Sequence, residues 1–141
     1  MEKRYDLSRF ISAQQRDYAT ALREIQGGRK RSHWMWYIFP QLKGLGMSYT
    51  AQLYGIDGLG EARAFLADPY LGANLREICG ALLGLDTNDA SYVFGYPDDL
   101  KLRSSMTLFK LAADDGAVFD AVLKKFYGGR EDQRTRELLG L

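Results

Sequence analysis

The chain has 141 residues, 46% hydrophobic and 26% charged, with 19 Lys and Arg against 18 Asp and Glu and a net charge of +1. That is the make-up of one globular domain, residues 1–141, able to bury its own core, and it argues against disorder. The near-neutral balance supplies no global pull toward nucleic acid or an anionic membrane, and one His with one Cys cannot furnish a zinc site or an internal disulfide.

The opening M-E-K-R-Y-D-L is charged and has no apolar h-region, and no stretch reaches the roughly 20 apolar residues of a membrane span. A cytoplasmic location, no membrane partner and no cofactor are the resulting expectations. Asp6 or Ser8 can cap a first helix running to about Ile25 and stopped by Gly27-Gly28. Its apolar stripe is Leu7, Phe10, Ile11, Tyr18, Ala21, Leu22 and Ile25. Gln14 falls inside that stripe. It is either a core amide bonded to backbone or a ligand contact.

Gly27 to Ser48 holds the only His, both Trp and the basic run Arg29-Lys30-Arg31. Within it, His33 to Phe39 has no polar face at period two or 3.6, so it is expected to be buried on more than one side. Few of its residues are β-branched, so a short helix or irregular segment fits as well as a strand. Pro40 ends it. Met47 to Ile56 is ambiguous: Ser48, Thr50 and Gln52 alternate with larger residues, which suits a short extended piece.

Leu59 to Ala67 reads as a short helix with Glu61 near its start. Asp68-Pro69 gives an N-cap and a first-position Pro for a helix carrying Leu71, Leu75, Ile78, Leu82 and Leu85 on one face. Asn88 or Asp89 caps a brief turn through Phe94. Pro97-Asp98-Asp99 opens a further helix, with negative charge at its positive end. Asp114 or Asp115 caps the next, which ends at Gly128-Gly129, and Asp132 starts a last helix to Leu139. The expected fold is mostly all-α: a compact multihelical single domain with at most one minor strand or hairpin.

Three groups of side chains could carry chemistry. His33, the only imidazole in the chain, is the candidate acid–base residue, with Lys30, Ser32 and Gln41 close in sequence. Trp34 and Trp36 beside Lys30 could stack a ring or hold a cation, or could simply be core. Lys101, Ser104 and Ser105 share a helix face and Thr107 lies one turn beyond Arg103 and Ser104, a stripe suited to phosphate or carboxylate. Asp98 would neutralise Lys101 when such a site is empty. Cys79 would need to meet His33 to act as a nucleophile, but it lies beside an apolar stripe and reads as a small buried hydrophobe.

H-W-M-W-Y-I-F-P-Q-L-K-G-L-G-M-S, together with D-D-L-K-L-R-S-S-M-T-L-F, resembles an uncharacterised family found in bacteria and some eukaryotes. Its members often carry the label calpastatin, which suits a disordered inhibitor and not a chain of this composition. The likeness runs from Asp6-Leu7 to Phe109 and implies a small, mostly helical domain with no assigned reaction. This chain departs from the family with Asp68 where His is frequent, Asn74 where Arg is frequent, and Ile78 beside Cys79 where the Cys usually comes one position earlier.

The resulting expectation is a binder or enzyme for an anionic, nucleotide-like or phosphorylated metabolite. Its pocket would use Gln14, Lys30, Trp34, Trp36, Gln41, Ser48, Lys101, Ser104 and Thr107, with His33 catalytic. The alternative is a non-enzymatic protein- or nucleic-acid-interaction module with Arg29, Lys30, Arg31 and Lys43 as its rim. The net charge makes nucleic acid the less expected partner.

Overall fold

In the computed structural model, which describes residues 5–141, Ser48, Asp68, Asp89 and Asp132 are N-caps whose side chains accept a backbone N–H. Asp6 and Asp115 each accept a helix's first N–H from one position before the N-cap, which is Leu7 or Gly116. Each such cap contributes about 1 kcal/mol and fixes where the chain turns into helix. The helices among the described residues are α1 (Ser8–Gln26), α2 (Met35–Ile38), α3 (Tyr49–Leu53), α4 (Gly58–Ala67), α5 (Pro69–Leu83), α6 (Ala90–Phe94), α7 (Asp98–Ala112), α8 (Ala117–Tyr127) and α9 (Gln133–Leu139). The domain is all-α. No helix among the described residues is long and apolar enough to cross a membrane.

Helix α7 is the centre of the packing. It lies against α4, α6, α8 and α9, while α1 packs on α2 and α5, and α5 on α4 and α8. Its buried residues include Leu102, Met106, Leu108 and Phe109 but also Ser104, Ser105 and Thr107. A helix covered on several sides buries its polar residues too; the Ser104 and Thr107 hydroxyls turn to their own backbone, whereas the buried Ser105 hydroxyl has no hydrogen-bond partner among the described residues. Ser104 donates to the Leu100 carbonyl (3.2 Å) and Thr107 to the Arg103 carbonyl (2.8 Å).

Two sets of rings tie the helices together. Phe10, Phe65, Phe109 and Phe119 form a chain with centroid separations of 5.3, 5.2 and 5.9 Å, linking α1, α4, α7 and α8. Trp34, Phe39 and Phe94 form a triangle at 6.2, 6.4 and 5.7 Å that pins the α2 segment to α6. Each such pair adds about 1 kcal/mol beyond its burial. Trp34, Phe39 and Phe94 thereby fix the wall on which the site is built.

The extended piece expected between Met47 and Ile56 is instead mostly the short helix α3. Ser48 caps it, and the only extended pairing here among the described residues is an isolated parallel bridge between Leu42 and Ile56. Arg9 on α1 reaches across to Glu61, which is 4% exposed (Nη2–Oε1 3.0 Å). It also donates to the Leu53 and Gly55 carbonyls, so the ion pair latches α1 to α4 and the loop before it.

Candidate functional site: a cation–indole cleft at the start of α7

The loop after α1 is shaped by a carboxylate. Glu24 accepts the Arg31 N–H (2.7 Å), the Ser32 N–H (2.9 Å), the Ser32 hydroxyl (2.5 Å) and the Trp34 indole N–H (2.9 Å). Partial burial opposes its ionisation, but these donors outweigh that and hold Glu24 at about 2 against an ordinary 4.5. Gly28 supplies the left-handed residue (φ 88°) that turns the chain, and the Lys30 N–H donates to the Val93 carbonyl of α6 (2.7 Å). The Lys30 backbone and the Trp34 ring are therefore both fixed before any ligand arrives.

From that anchor Lys30 runs past Trp34, its Nζ 5.2 Å from the ring centroid, to Asp98 Oδ2 at 2.9 Å. Lys101, one turn along α7, takes the other oxygen, Oδ1, at 2.9 Å and sits 4.1 Å from the Trp36 ring centroid. One carboxylate thus joins two ammonium groups, and each ammonium is paired with its own indole. Burial disfavours the charged form of Asp98, yet the two lysines prevail and hold its pKa below the usual carboxylate range. The neutralisation of Lys101 by Asp98 foreseen from the sequence is present.

Beside Lys101 lies a cleft of about 250 Å³, with Trp36, Gln41, Leu45, Lys101, Ser104 and Arg134 among its walls. Gly46 permits the closeness of one wall. A Cβ there would stand 2.9 Å from the Ala51 Cβ and 3.7 Å from the Trp36 ring. Thr107 acts one step behind the cleft: its hydroxyl accepts the Asp132 N–H (2.8 Å), which fixes the turn that carries Arg134. Asp132 caps α9 and faces Arg103 at 3.8 Å, while Arg134 is exposed and has no carboxylate partner among the described residues. Lys30, Lys101, Arg103 and Arg134 gather here against Asp98 and Asp132, so a local cationic excess exists within a nearly neutral chain.

The residues singled out from the sequence divide as follows. Trp36, Gln41, Lys101 and Ser104 line the cleft, and Lys30 joins it through Asp98. Trp34 is 1% exposed and serves as the floor beneath Lys30. Gln14 is 1% exposed and bonds within the core, donating to the Tyr37 carbonyl (2.9 Å) and accepting from Asn74 (3.0 Å). This is the backbone-bonded arrangement that the sequence offered as one of two readings. Ser48 caps α3, and Thr107 is fully buried; neither lines the cleft. His33 is exposed and its ring has no partner among the described residues; it too lies outside the cleft walls. Cys79 is fully buried against Met106, and burial pushes its thiol well up, away from the reactive thiolate. Among the described residues no three His, Cys, Asp or Glu side chains come together as a metal would require.

Sequence reasoning missed Glu24 and Arg134. Glu24 carries no sequence signal of its role, because its partners Arg31, Ser32 and Trp34 lie in an irregular segment after α1. Arg134 gave no signal beyond its charge.

A profile for a family described as "Protein of unknown function (DUF1810)" matches residues 4–139. The chain belongs to this family. A solved structure, that of the conserved hypothetical protein Rv1873 from Mycobacterium tuberculosis, is 49% identical. The match covers 97% of this chain and 98% of that one, with a TM-score of 0.95, so the two share the whole fold. No curated protein matches. The resemblance noted in the H-W-M-W and D-D-L-K segments is thus a true family membership. The family's description assigns no reaction.

Proposed function

We propose that the protein binds a small anionic metabolite, with a phosphate or carboxylate at Lys101 and Arg134 and a planar ring against Trp36. The observation that carries this reading is the Lys30–Asp98–Lys101 cluster. It holds two ammonium groups in place, Lys30 nearly buried and Lys101 partly open on a cleft that Trp36 also lines. An incoming anion can replace Asp98 as the partner of Lys101 while Lys30 continues to neutralise Asp98. The exchange then strands no buried charge. Gln41 and Ser104 supply the polar groups that orient a ligand.

The cleft volume narrows the ligand. About 250 Å³ has room for a phosphate with one ring, but not for a dinucleotide enclosed whole. A phosphorylated or carboxylated aromatic fits within it, and a mononucleotide fits with part of the molecule left in solvent. Catalysis by His33 would require a substrate that extends out of the cleft, so binding is the better-supported role. The rival interaction-module reading is weakened at Lys30, which is too buried to form a rim, although Arg31 and Lys43 are exposed.

A thermal-shift screen with mononucleotides, sugar phosphates and aromatic carboxylates tests the proposal. A ligand at a hundred times its dissociation constant adds about 2.7 kcal/mol. The expected hit is lost in Lys101→Met and Trp36→Ala but kept in His33→Ala. A hit that survives both cleft substitutions, or an oligonucleotide as the sole binder with a steep salt dependence, would overturn it.

A further inference from the structure

A second cleft, of about 700 Å³, shares no residue with the first and lies among α4, α5 and the turn joining α7 to α8. Arg63 on α4 donates Nε to the Ala112 carbonyl at the end of α7 (3.2 Å). Arg76 on α5 donates Nη1 to the Leu66 carbonyl near the end of α4 (3.2 Å). Each guanidinium is thus held by a helix-end carbonyl through one N–H, and its other N–H groups remain available. Neither has a carboxylate partner among the described residues, and both are exposed. Closing a helix end accounts for one bond of each arginine, but not for two unneutralised guanidinium groups on the walls of one cleft.

The turn between α7 and α8 contributes the opposite charge. Asp114 is exposed and has no partner among the described residues, whereas its neighbour Asp115 is occupied by the Ala117 N–H (3.1 Å). Leu66 and Val118 add apolar surface to the same lining. Cations from α4 and α5, a free carboxylate from the turn, and an apolar lining share one cleft, and together they describe a receptor for a molecule that carries an anionic, a cationic and an apolar group.

We propose that this cleft is a binding site for an apolar zwitterion: a free α-amino acid with an apolar side chain, or a short apolar peptide, which carries the same ammonium, carboxylate and apolar groups with its two charges farther apart. The ligand carboxylate meets Arg63 and Arg76, its ammonium meets Asp114, and its side chain packs on Leu66 and Val118. This site is independent of the cation–indole cleft.

Titration of the full chain, followed by NMR shifts, tests it with L-leucine, L-phenylalanine and leucyl-leucine, and with N-acetyl-leucine and leucinamide as end-blocked controls. Saturable shifts are expected at residues around Arg63, Arg76 and Val118, with affinity falling about tenfold or more when either end is blocked. Arg76→Gln and Asp114→Asn should each weaken the free compounds, and Asp114→Asn should leave N-acetyl-leucine unchanged because that compound has no ammonium. Asp114 is exposed and unbonded, so its replacement does not threaten the fold. Lys101→Met should have no effect. Binding of the dipeptide alone would assign the site to peptides. No saturable shift with any compound, equal affinity for blocked and free forms, or indifference to both variants would overturn the proposal.

Discussion

Lys30 and Lys101 hold the same carboxylate from two sides, and their surroundings differ. The Lys30 side chain is 8% exposed and runs over Trp34, which is sealed in the core. The Lys101 side chain is 21% exposed and lies over Trp36, which is half-buried and faces a cleft. One cation–indole pair is therefore a structural rivet and the other is a surface that a ligand can reach. The difference arises from where the backbone is fixed. Glu24 and the Val93 carbonyl lock the Lys30–Trp34 half, while the Trp36 half is bounded by the loop around Gly46 and by the turn before α9.

That contrast is sharpest for the two indoles. Trp34→Ala should cost about 3–5 kcal/mol in urea unfolding, because it empties a packed site between Phe39 and Phe94 and strands Glu24 without one donor. Trp36→Ala should cost less, about 2 kcal/mol, because its ring is only partly buried, and should in addition abolish ligand binding. Equal losses of stability would erase the distinction between the two halves.

The shared carboxylate comes next. Asp98→Asn leaves two ammonium groups facing each other, one nearly buried, and should destabilise by about 2–3 kcal/mol. Lys101→Met removes only the more open partner and should cost about 1 kcal/mol at most. If the two substitutions cost the same, Lys30 does not depend on Asp98.

The pH dependence is a smaller effect with a definite sign. Glu24 and Asp98 are both held below their ordinary values, so their contribution to stability is complete above the unfolded carboxylate range and is lost as pH falls through it. For Glu24 the loss runs from about 4.5 down toward about 2. Glu24→Gln should lower stability at neutral pH by about 1–2 kcal/mol and flatten the acid limb of the unfolding midpoint against pH. An unchanged acid limb would show that the loop does not rely on that carboxylate.

Much of the fold was legible because its punctuation is local. Asp68-Pro69, Asp89, Asp132 and Gly128 announce helix ends through short-range hydrogen bonds or backbone freedom, and each helix begins or ends where they stand. The segment from Met47 to Ile56 was harder, because five residues carry too little periodicity to separate a turn of helix from an extended piece, and only the Ser48 cap decides it. The candidate site was half legible. Lys101, Ser104, Trp36 and Gln41 could be grouped by residue type. Their separation from Gln14, Ser48 and Thr107 depends on contacts remote in sequence: Asn74 to Gln14, and Asp132 to Thr107. No pattern within the H-W-M-W run distinguishes the sealed indole from the open one, since that depends on Glu24 and Phe94.

The central claim is that Trp36 and Lys101 form one accessible receptor for an anion bearing a ring, and a fluorescence titration of Trp34→Phe protein, in which Trp36 is the sole indole, tests it most directly. With adenosine monophosphate as the probe, the account predicts saturable quenching that disappears when Lys101→Met is added and that is competed by inorganic phosphate. Quenching that never saturates, or that is undiminished by Lys101→Met, would contradict it.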